Sequence, residues 1–197
     1  MLHRLAPFLT LALLSCDEPA PAPDTASPPS GPYGPENQWP HADAADVPAG
    51  LEGTGFENGD TAHNFMMLDQ HGDLVELYQF YGYVVVLDVI AEWCHLCEEM
   101  APEGQAAWEE LGDEGLVYIT VILEDAGSGP PGDEVMGRWA ETFGLTHPVV
   151  SDLSGEQRGY VTDGYPAVVV IDRDMSIITN SLLPFDPSFL SLAVRAR

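Results

Sequence analysis

The sequence predicts an α/β fold, and two features of its 197 residues support that prediction. Apolar, β-branched runs at 83–90, 116–123 and 167–171 are typical of strands that are buried on both faces. Segments with helical spacing lie between and after these runs. Strands that alternate with helices along a chain are characteristic of the α/β class.

The first predicted elements are a β-hairpin, a long strand and a helix. Residues 65–68 and 74–77 are apolar segments joined by a polar turn, which is the pattern of a hairpin. The strand over 83–90 follows. A helix should begin around Cys94 and run to about Leu111, because a glycine comes next and ends it.

The second half of the chain continues the alternation. A strand over 116–123 leads into a loop rich in Gly and Pro, and a helix over 134–143 ends at Gly144. Further strands are expected at 167–171 and 176–182. An Asp-Pro pair then supplies a capping carboxylate and a proline at the first helical position, which predicts a C-terminal helix.

The N-terminal part of the chain lacks the pattern of a folded domain. Residues 1–15 have a weakly basic start and a short apolar run, which is typical of a signal peptide. Residues 13–16 resemble a bacterial lipobox, which implies cleavage before Cys16 and acylation of that cysteine; the alternative is a secretory signal with an incidental cysteine. The Pro-rich stretch 16–52 should be a disordered tether, and 53–197 the folded domain.

The chain is strongly acidic. Asp and Glu outnumber Lys and Arg by 32 to 6, and the formal net charge is −26. Such a surface repels phosphate groups, so nucleic acid is excluded as an expected partner. A solvated acidic surface explains the charge, and a cationic partner protein is the alternative.

Cys94 and Cys97 form a C-x-x-C pair where the strand over 83–90 leads into a helix. Unpaired N–H groups and the helix dipole favour a thiolate there. Cys94 can then attack a substrate disulfide, and Cys97, on the same helical face, can resolve the mixed disulfide. The alternatives are half of a zinc site and an inert structural disulfide. Zinc needs about four ligands, and the sequence has no second C-x-x-C or H-x-x-x-H, so the pair favours redox chemistry with no metal or other cofactor.

The chain has the motif Trp93-Cys94-x-x-Cys97, the preceding Asp88 and the turn Gly164-Tyr165-Pro166, and in these residues it resembles the thioredoxin family. The hairpin and an acidic insert after the strand over 116–123 resemble the membrane-anchored TlpA-like branch of that family, which is related to the AhpC/TSA redoxins. Over 53–197 the resemblance implies a thioredoxin-like fold, with a central mixed β-sheet flanked by helices and an N-terminal β-hairpin extension. It also implies a thiol–disulfide oxidoreductase.

The resemblance assigns roles to single residues. Asp88 would lie buried behind the disulfide with a raised pKa and would accept the proton of Cys97; alternatively, it only forms hydrogen bonds within the strand. Pro166 would be a cis-proline. Trp93, Tyr165 and Pro166 would contact the substrate, whose chain would pair with the backbone of Tyr165 like an added strand.

Some positions depart from the family pattern. His95 follows the first cysteine, where a protonated imidazole would favour the thiolate, although the residue could equally be an exposed turn residue. Met100 stands where many TlpA-like proteins have a carboxylate. Glu98 and Glu99 lie nearby, and their charges would raise the pKa of the thiol.

Exported protein thiols and disulfides are the expected substrates, such as apocytochrome cysteines that await haem, with a membrane electron donor or acceptor as a second partner. The whole chain is expected to be an exported bacterial lipoprotein on a periplasmic or extracytoplasmic membrane face. A thiol peroxidase is one alternative, but those enzymes usually have Thr three residues before the reactive cysteine, and this chain has Ala91. A copper-binding assembly factor would use Cys94, Cys97 and a distant histidine such as His147.

Overall fold

A computed structural model describes residues 33–43 and 46–196 and has the predicted α/β architecture. The predicted signal peptide, Cys16 and the tether up to residue 32 lie outside the described residues. The seven strands are β1 Met66–Leu68, β2 Leu74–Glu76, β3 Val84–Ala91, β4 Leu116–Glu124, β5 Val149–Ser151, β6 Ala167–Ile171 and β7 Ile177–Thr179. The three α-helices are α1 His95–Leu111, α2 Asp133–Phe143 and α3 Pro187–Arg195.

Five strands form the central sheet in the order β5-β4-β3-β6-β7, and β1 pairs with β2 in a separate antiparallel hairpin. The sheet is mixed, because β3 runs parallel to β4 and antiparallel to β6. All eight residues of β3 are buried, as its sequence predicts, since every residue except Asp88 is apolar. The predicted central mixed sheet and N-terminal hairpin are confirmed.

The two faces of the sheet are covered by different parts of the chain. One face packs on the three α-helices through alternate residues of its strands, such as Val86 with α1 and α3 and Ile122 with α2. The other face carries Leu87 and Ile119 and packs on the hairpin and the segment that follows it. Side chains in a strand alternate between faces, so Asp88, two residues after Val86, lies on the face that packs against α1.

The folded part begins earlier in the chain than residue 53. Trp39 is buried and joins the core cluster on the face opposite the helices. Its indole N–H donates to Asp69 over 2.6 Å, and Asn37 donates to the backbone carbonyl of Leu74. The described part of the predicted tether is therefore attached to the domain, because it carries an aromatic anchor that its Pro-rich composition conceals.

Three short 3-10 segments were not predicted. They follow the hairpin, helix α1 and strand β5. After α1, Gly112 keeps right-handed helical angles and begins one of these segments, and the left-handed turn comes at Gly115 with φ of +107°. The α-helix therefore ends at Leu111, as predicted, and Gly115 supplies the left-handed turn that follows. The three segments are Leu77–Phe80, Gly112–Glu114 and Glu156–Tyr160.

In the ranges 33–43 and 46–196, none of the helices has the length and apolar character that crossing a bilayer requires.

Candidate active site

The two sulfur atoms of the C-x-x-C pair lie at the start of α1, directly after β3. Cys94 and Cys97 form a disulfide, with their Cα atoms 5.2 Å apart. Cys94 is the N-cap of α1, and its sulfur accepts the backbone N–H of Cys97 over 3.1 Å. Cys94 is 5% exposed and Cys97 is 1% exposed. The arrangement places the first sulfur at the positive end of a helix and shelters the second.

His95 lies on the exposed side of the same helical turn, between two carboxylates. Its ring nitrogens are 3.2 Å from Glu98 and 3.4 Å from Glu99. The hydrogen bond with Glu98 and the charge of Glu99 raise the pKa of His95 above its usual value. The imidazole is therefore more readily protonated than in water, and it offsets part of the negative charge beside Cys94.

Asp88 is buried in the middle of β3, on the sheet face that packs against α1. Burial raises its pKa to about 7, and the neighbouring Tyr118 hydroxyl opposes that shift only in part. Neither Asp88 Oδ1 nor the Tyr118 hydroxyl has a well-formed hydrogen bond within the described residues. A carboxyl group with this pKa can take up and release a proton near neutral pH.

A glycine on α1, Gly104, leaves room for the side chain of Tyr118. A Cβ atom at Gly104 would lie 2.6 Å from the Tyr118 ring and 2.7 Å from its hydroxyl oxygen. The ring also packs edge-on against His147, with centroids 4.9 Å apart. Gly104 therefore allows a buried tyrosine to lie beneath the helix that carries the cysteines.

His147 is buried, and its two ring nitrogens lie near Thr120 at 3.0 Å and Gln105 at 3.3 Å. Burial lowers the pKa of His147 to about 3. Both nitrogens are thus engaged away from the cysteines, which argues against the copper site considered above. Across the two described ranges, no three His, Cys, Asp or Glu side chains converge as metal ligands.

Two of the predicted substrate-contact residues, Trp93 and Tyr165, are in contact close to the disulfide. The Tyr165–Pro166 bond is cis, as the motif predicts. Tyr165 packs against the apolar cluster that contains both cysteines. The rings of Trp93 and Tyr165 meet edge to face, with centroids 5.6 Å apart and planes at 82°.

Two glutamates at the site were not predicted from the sequence. Glu124, the last residue of β4, accepts hydrogen bonds from Trp93, Tyr165 and Arg158. Glu92 makes a two-point contact with Arg138 at 2.7 and 2.8 Å. In so acidic a chain no pattern distinguishes these two carboxylates from the others. The few arginines of the chain were the better signal, since each of these two glutamates pairs with one of them.

Comparison with known proteins assigns the folded part to one family. The model of the AhpC/TSA family matches residues 58–179, which is more than half of the chain. The matched region runs from before the hairpin to the end of β7, so it contains both cysteines, Asp88 and the cis-proline.

Curated relatives are about a quarter identical to this chain over the aligned residues. The thioredoxin-like protein YneN of Bacillus subtilis is 26% identical over 119 residues, or 60% of this chain and 68% of the relative. The thiol-disulfide oxidoreductase ResA of Geobacillus kaustophilus is 28% identical over 139 residues, or 68% of this chain and 76% of the relative.

Solved structures confirm the thioredoxin-like fold. The thioredoxin domain of a thiol-disulfide oxidoreductase from Bacteroides vulgatus superposes with a TM-score of 0.57 at 19% identity. The superposition covers 68% of this chain and 94% of that domain. At this identity the likeness establishes the fold.

Proposed function

This chain belongs to the AhpC/TSA family and is a thiol–disulfide oxidoreductase, and we propose that Cys94 and Cys97 are its reacting sulfurs. The disulfide at the start of α1 is the observation that carries this assignment. Helix N–H groups there stabilise a thiolate. Asp88 is buried in β3, the strand that leads to the pair, and the Tyr165–Pro166 bond is cis.

The reduction of a substrate disulfide proceeds in two exchanges. The Cys94 thiolate attacks one substrate sulfur, forms a mixed disulfide and releases the other substrate sulfur as a thiolate. Asp88 accepts the proton of Cys97, and the Cys97 thiolate then attacks Cys94. The mixed disulfide breaks, the second substrate sulfur leaves as a thiolate, and the Cys94–Cys97 disulfide forms, while the proton stays on Asp88 until it passes to solvent. Two electrons have passed from the enzyme to the substrate.

The proposed substrates are disulfides of exported proteins, with apocytochrome cysteines as one candidate group. The signal-like residues 1–15 support export, and residues 13–16 support lipidation of Cys16. The anchor would hold the enzyme close to a membrane partner that returns two electrons to the pair after each turnover. A Cys16→Ala chain should leave the membrane fraction, and retention there would contradict the lipid anchor.

Insulin reduction by dithiothreitol tests the reacting cysteines. The mature chain should accelerate the reduction, and Cys94→Ser should abolish the acceleration. Cys97→Ser should instead accumulate mixed disulfides, which a non-reducing gel detects, because the first exchange proceeds and the second does not. Turnover of peroxide or tight Cu(I) binding without disulfide reduction would overturn the proposal. Ala91, which has no hydroxyl group to offer, makes peroxide chemistry the weaker alternative.

The role of Asp88 is tested on the second exchange alone. A mixed disulfide between Cys94 and a chromogenic thiol should resolve more slowly in Asp88→Asn than in the unchanged protein, since the amide cannot take the proton of Cys97. The difference should shrink as the pH rises and Cys97 loses its proton to solvent. Equal rates at neutral pH would remove Asp88 from the mechanism.

A further inference from the structure

One carboxylate connects the two aromatic rings at the active site. Glu124 Oε2 accepts the indole N–H of Trp93 over 3.0 Å. Glu124 Oε1 accepts the hydroxyl of Tyr165 over 3.1 Å. Trp93 directly precedes Cys94, and Tyr165 directly precedes the cis-proline. Glu124 therefore joins the two segments between which a substrate chain has to lie.

Arg158 completes this arrangement. Its guanidinium donates to Glu124 over 2.9 Å and lies 3.2 Å from the Tyr165 hydroxyl. The Glu124 side chain is 15% exposed, whereas Arg158 is 53% exposed. Burial opposes ionisation of Glu124, but the hydrogen bonds from Arg158, Trp93 and Tyr165 together hold the pKa of Glu124 below its usual value. The carboxylate is thus ionised and fully engaged at neutral pH.

The backbone of Glu124 also holds the short segment between β3 and α1, which contains Trp93. Its carbonyl accepts the N–H of Glu92 over 2.8 Å. Glu92 is in turn fixed to helix α2 through Arg138. The segment that carries Trp93 is therefore attached both to strand β4 and to helix α2, although the indole itself is 49% exposed. An exposed ring that is already held in place loses little freedom when a partner covers it.

We propose that Glu124 is a positioning residue that sets the substrate groove, by holding Trp93 and Tyr165 in the orientation that receives an extended polypeptide on either side of its disulfide. This inference rests on the proposed function. In this proposal the substrate chain pairs with the backbone at Tyr165 and covers the indole of Trp93. Only a substrate long enough to reach both residues therefore contacts both rings. A small disulfide reaches Cys94 without contacting both.

Glu124→Gln tests the proposal, because the amide keeps the size of the side chain but has only one oxygen to accept hydrogen bonds. For insulin, KM should rise by about tenfold and kcat should stay within about twofold. The lost hydrogen bonds prepare the groove for binding, so their loss weakens the bound substrate and the transition state equally. For glutathione disulfide, kcat/KM should change by less than about twofold. Tyr165→Phe, which removes only the hydroxyl, should raise KM for insulin in the same direction.

Glu114→Gln is the matched control. Glu114 lies just before the other end of β4, and it also pairs with an arginine, Arg195, at 2.9 and 3.1 Å. Its loss removes a comparable charge and ion pair far from the cysteines. Both substrates should be reduced by this variant as by the unchanged protein.

An NMR spectrum of the oxidised protein gives a readout that does not depend on activity. Glu124→Gln should shift the indole N–H signal of Trp93, identified by its loss in Trp93→Phe, and leave the other three indole signals in place. An unshifted signal would overturn the contact with Glu124. An unchanged KM for insulin, or an equal loss with glutathione disulfide, would overturn the role in substrate binding. An unchanged protein that reduces neither substrate would overturn the proposed function itself, and this inference with it.

Discussion

The backbone N–H of Cys97 donates a hydrogen bond to the sulfur of Cys94 over 3.1 Å, so the first cysteine of the redox pair caps its own helix. A capping atom accepts from N–H groups that have no partner within the helix, and negative charge on it is stabilised. Glu98 in the first helical turn acts in the opposite direction. The reactivity of Cys94 therefore depends on how these local charges balance.

His95 is the group that shifts this balance toward the thiolate. We expect His95→Ala to raise the pKa of the Cys94 thiol and to slow its alkylation by iodoacetamide about two- to fivefold at pH 6.5, because the cation is lost while Glu98 and Glu99 stay. The pKa of His95 is raised, so the difference should be greatest at acidic pH and fade as the pH rises through that raised value. Alkylation rates of the reduced protein across pH 5–9 measure this.

Glu98→Gln is the informative companion to His95→Ala. It removes one negative charge near Cys94 and also the main cause of the raised pKa of His95. The rate should then rise at pH values well above the pKa of His95, where the imidazole is neutral in either protein, and rise less at acidic pH. Alkylation of His95→Ala at the wild-type rate across the whole range would show that the imidazole does not influence the thiol.

Asp88 should make the stability of the fold depend on pH. Its pKa is raised from 3.8 to about 7, so the folded state binds a proton that the unfolded state has already released. The stability that this proton supports is present below about pH 4 and is lost as the pH rises toward 7. Asp88→Asn carries no such charge, and at pH 8 it should be more stable than the unchanged protein by a few kcal/mol, since one pKa unit corresponds to about 1.4 kcal/mol.

Urea unfolding of the two proteins at pH 5 and pH 8 measures this difference. His147, whose pKa is lowered by burial, reduces stability at acidic pH in both proteins, and its effect cancels in the comparison. An advantage of Asp88→Asn that is the same at both pH values would mean that Asp88 does not titrate in this range.

The sequence was informative wherever chemistry and local pattern coincide. The C-x-x-C pair marks the start of a helix, and Asp88 is conspicuous as the single carboxylate in the otherwise apolar strand β3. Glu124 could not be found in this way, because its role comes from side chains that meet only in the folded chain. Trp39 was missed for a different reason: composition averaged over a Pro-rich stretch hides one aromatic residue that finds a buried partner.

Trp39 should therefore contribute to the stability of the domain. We expect Trp39→Ala to lower the free energy of unfolding by about 3–5 kcal/mol, the usual effect of removing a large buried aromatic ring. Trp39→Phe keeps an apolar ring but leaves Asp69 without its indole donor, so a smaller loss of about 1–3 kcal/mol should follow. Urea denaturation measures both. If neither substitution changes stability, the domain begins after this segment, as its composition alone suggests.

Two helical glycines separate the contribution of helix propensity from that of packing. Gly137 in α2 has open space where a Cβ would lie, so Gly137→Ala should stabilise the protein by about 0.5–1 kcal/mol. Gly104→Ala gains the same propensity but drives a methyl group into the Tyr118 ring, at 2.6 Å. Tyr118 is fully buried against His147, so the ring has little room to move, and overpacking should reverse the sign to a net loss of about 1–3 kcal/mol. Thermal unfolding of both variants distinguishes these outcomes. If Gly104→Ala stabilised the protein, the Tyr118 ring would have moved to make room for the methyl group. A ring that moves so easily would not hold its hydroxyl in a fixed position beside Asp88.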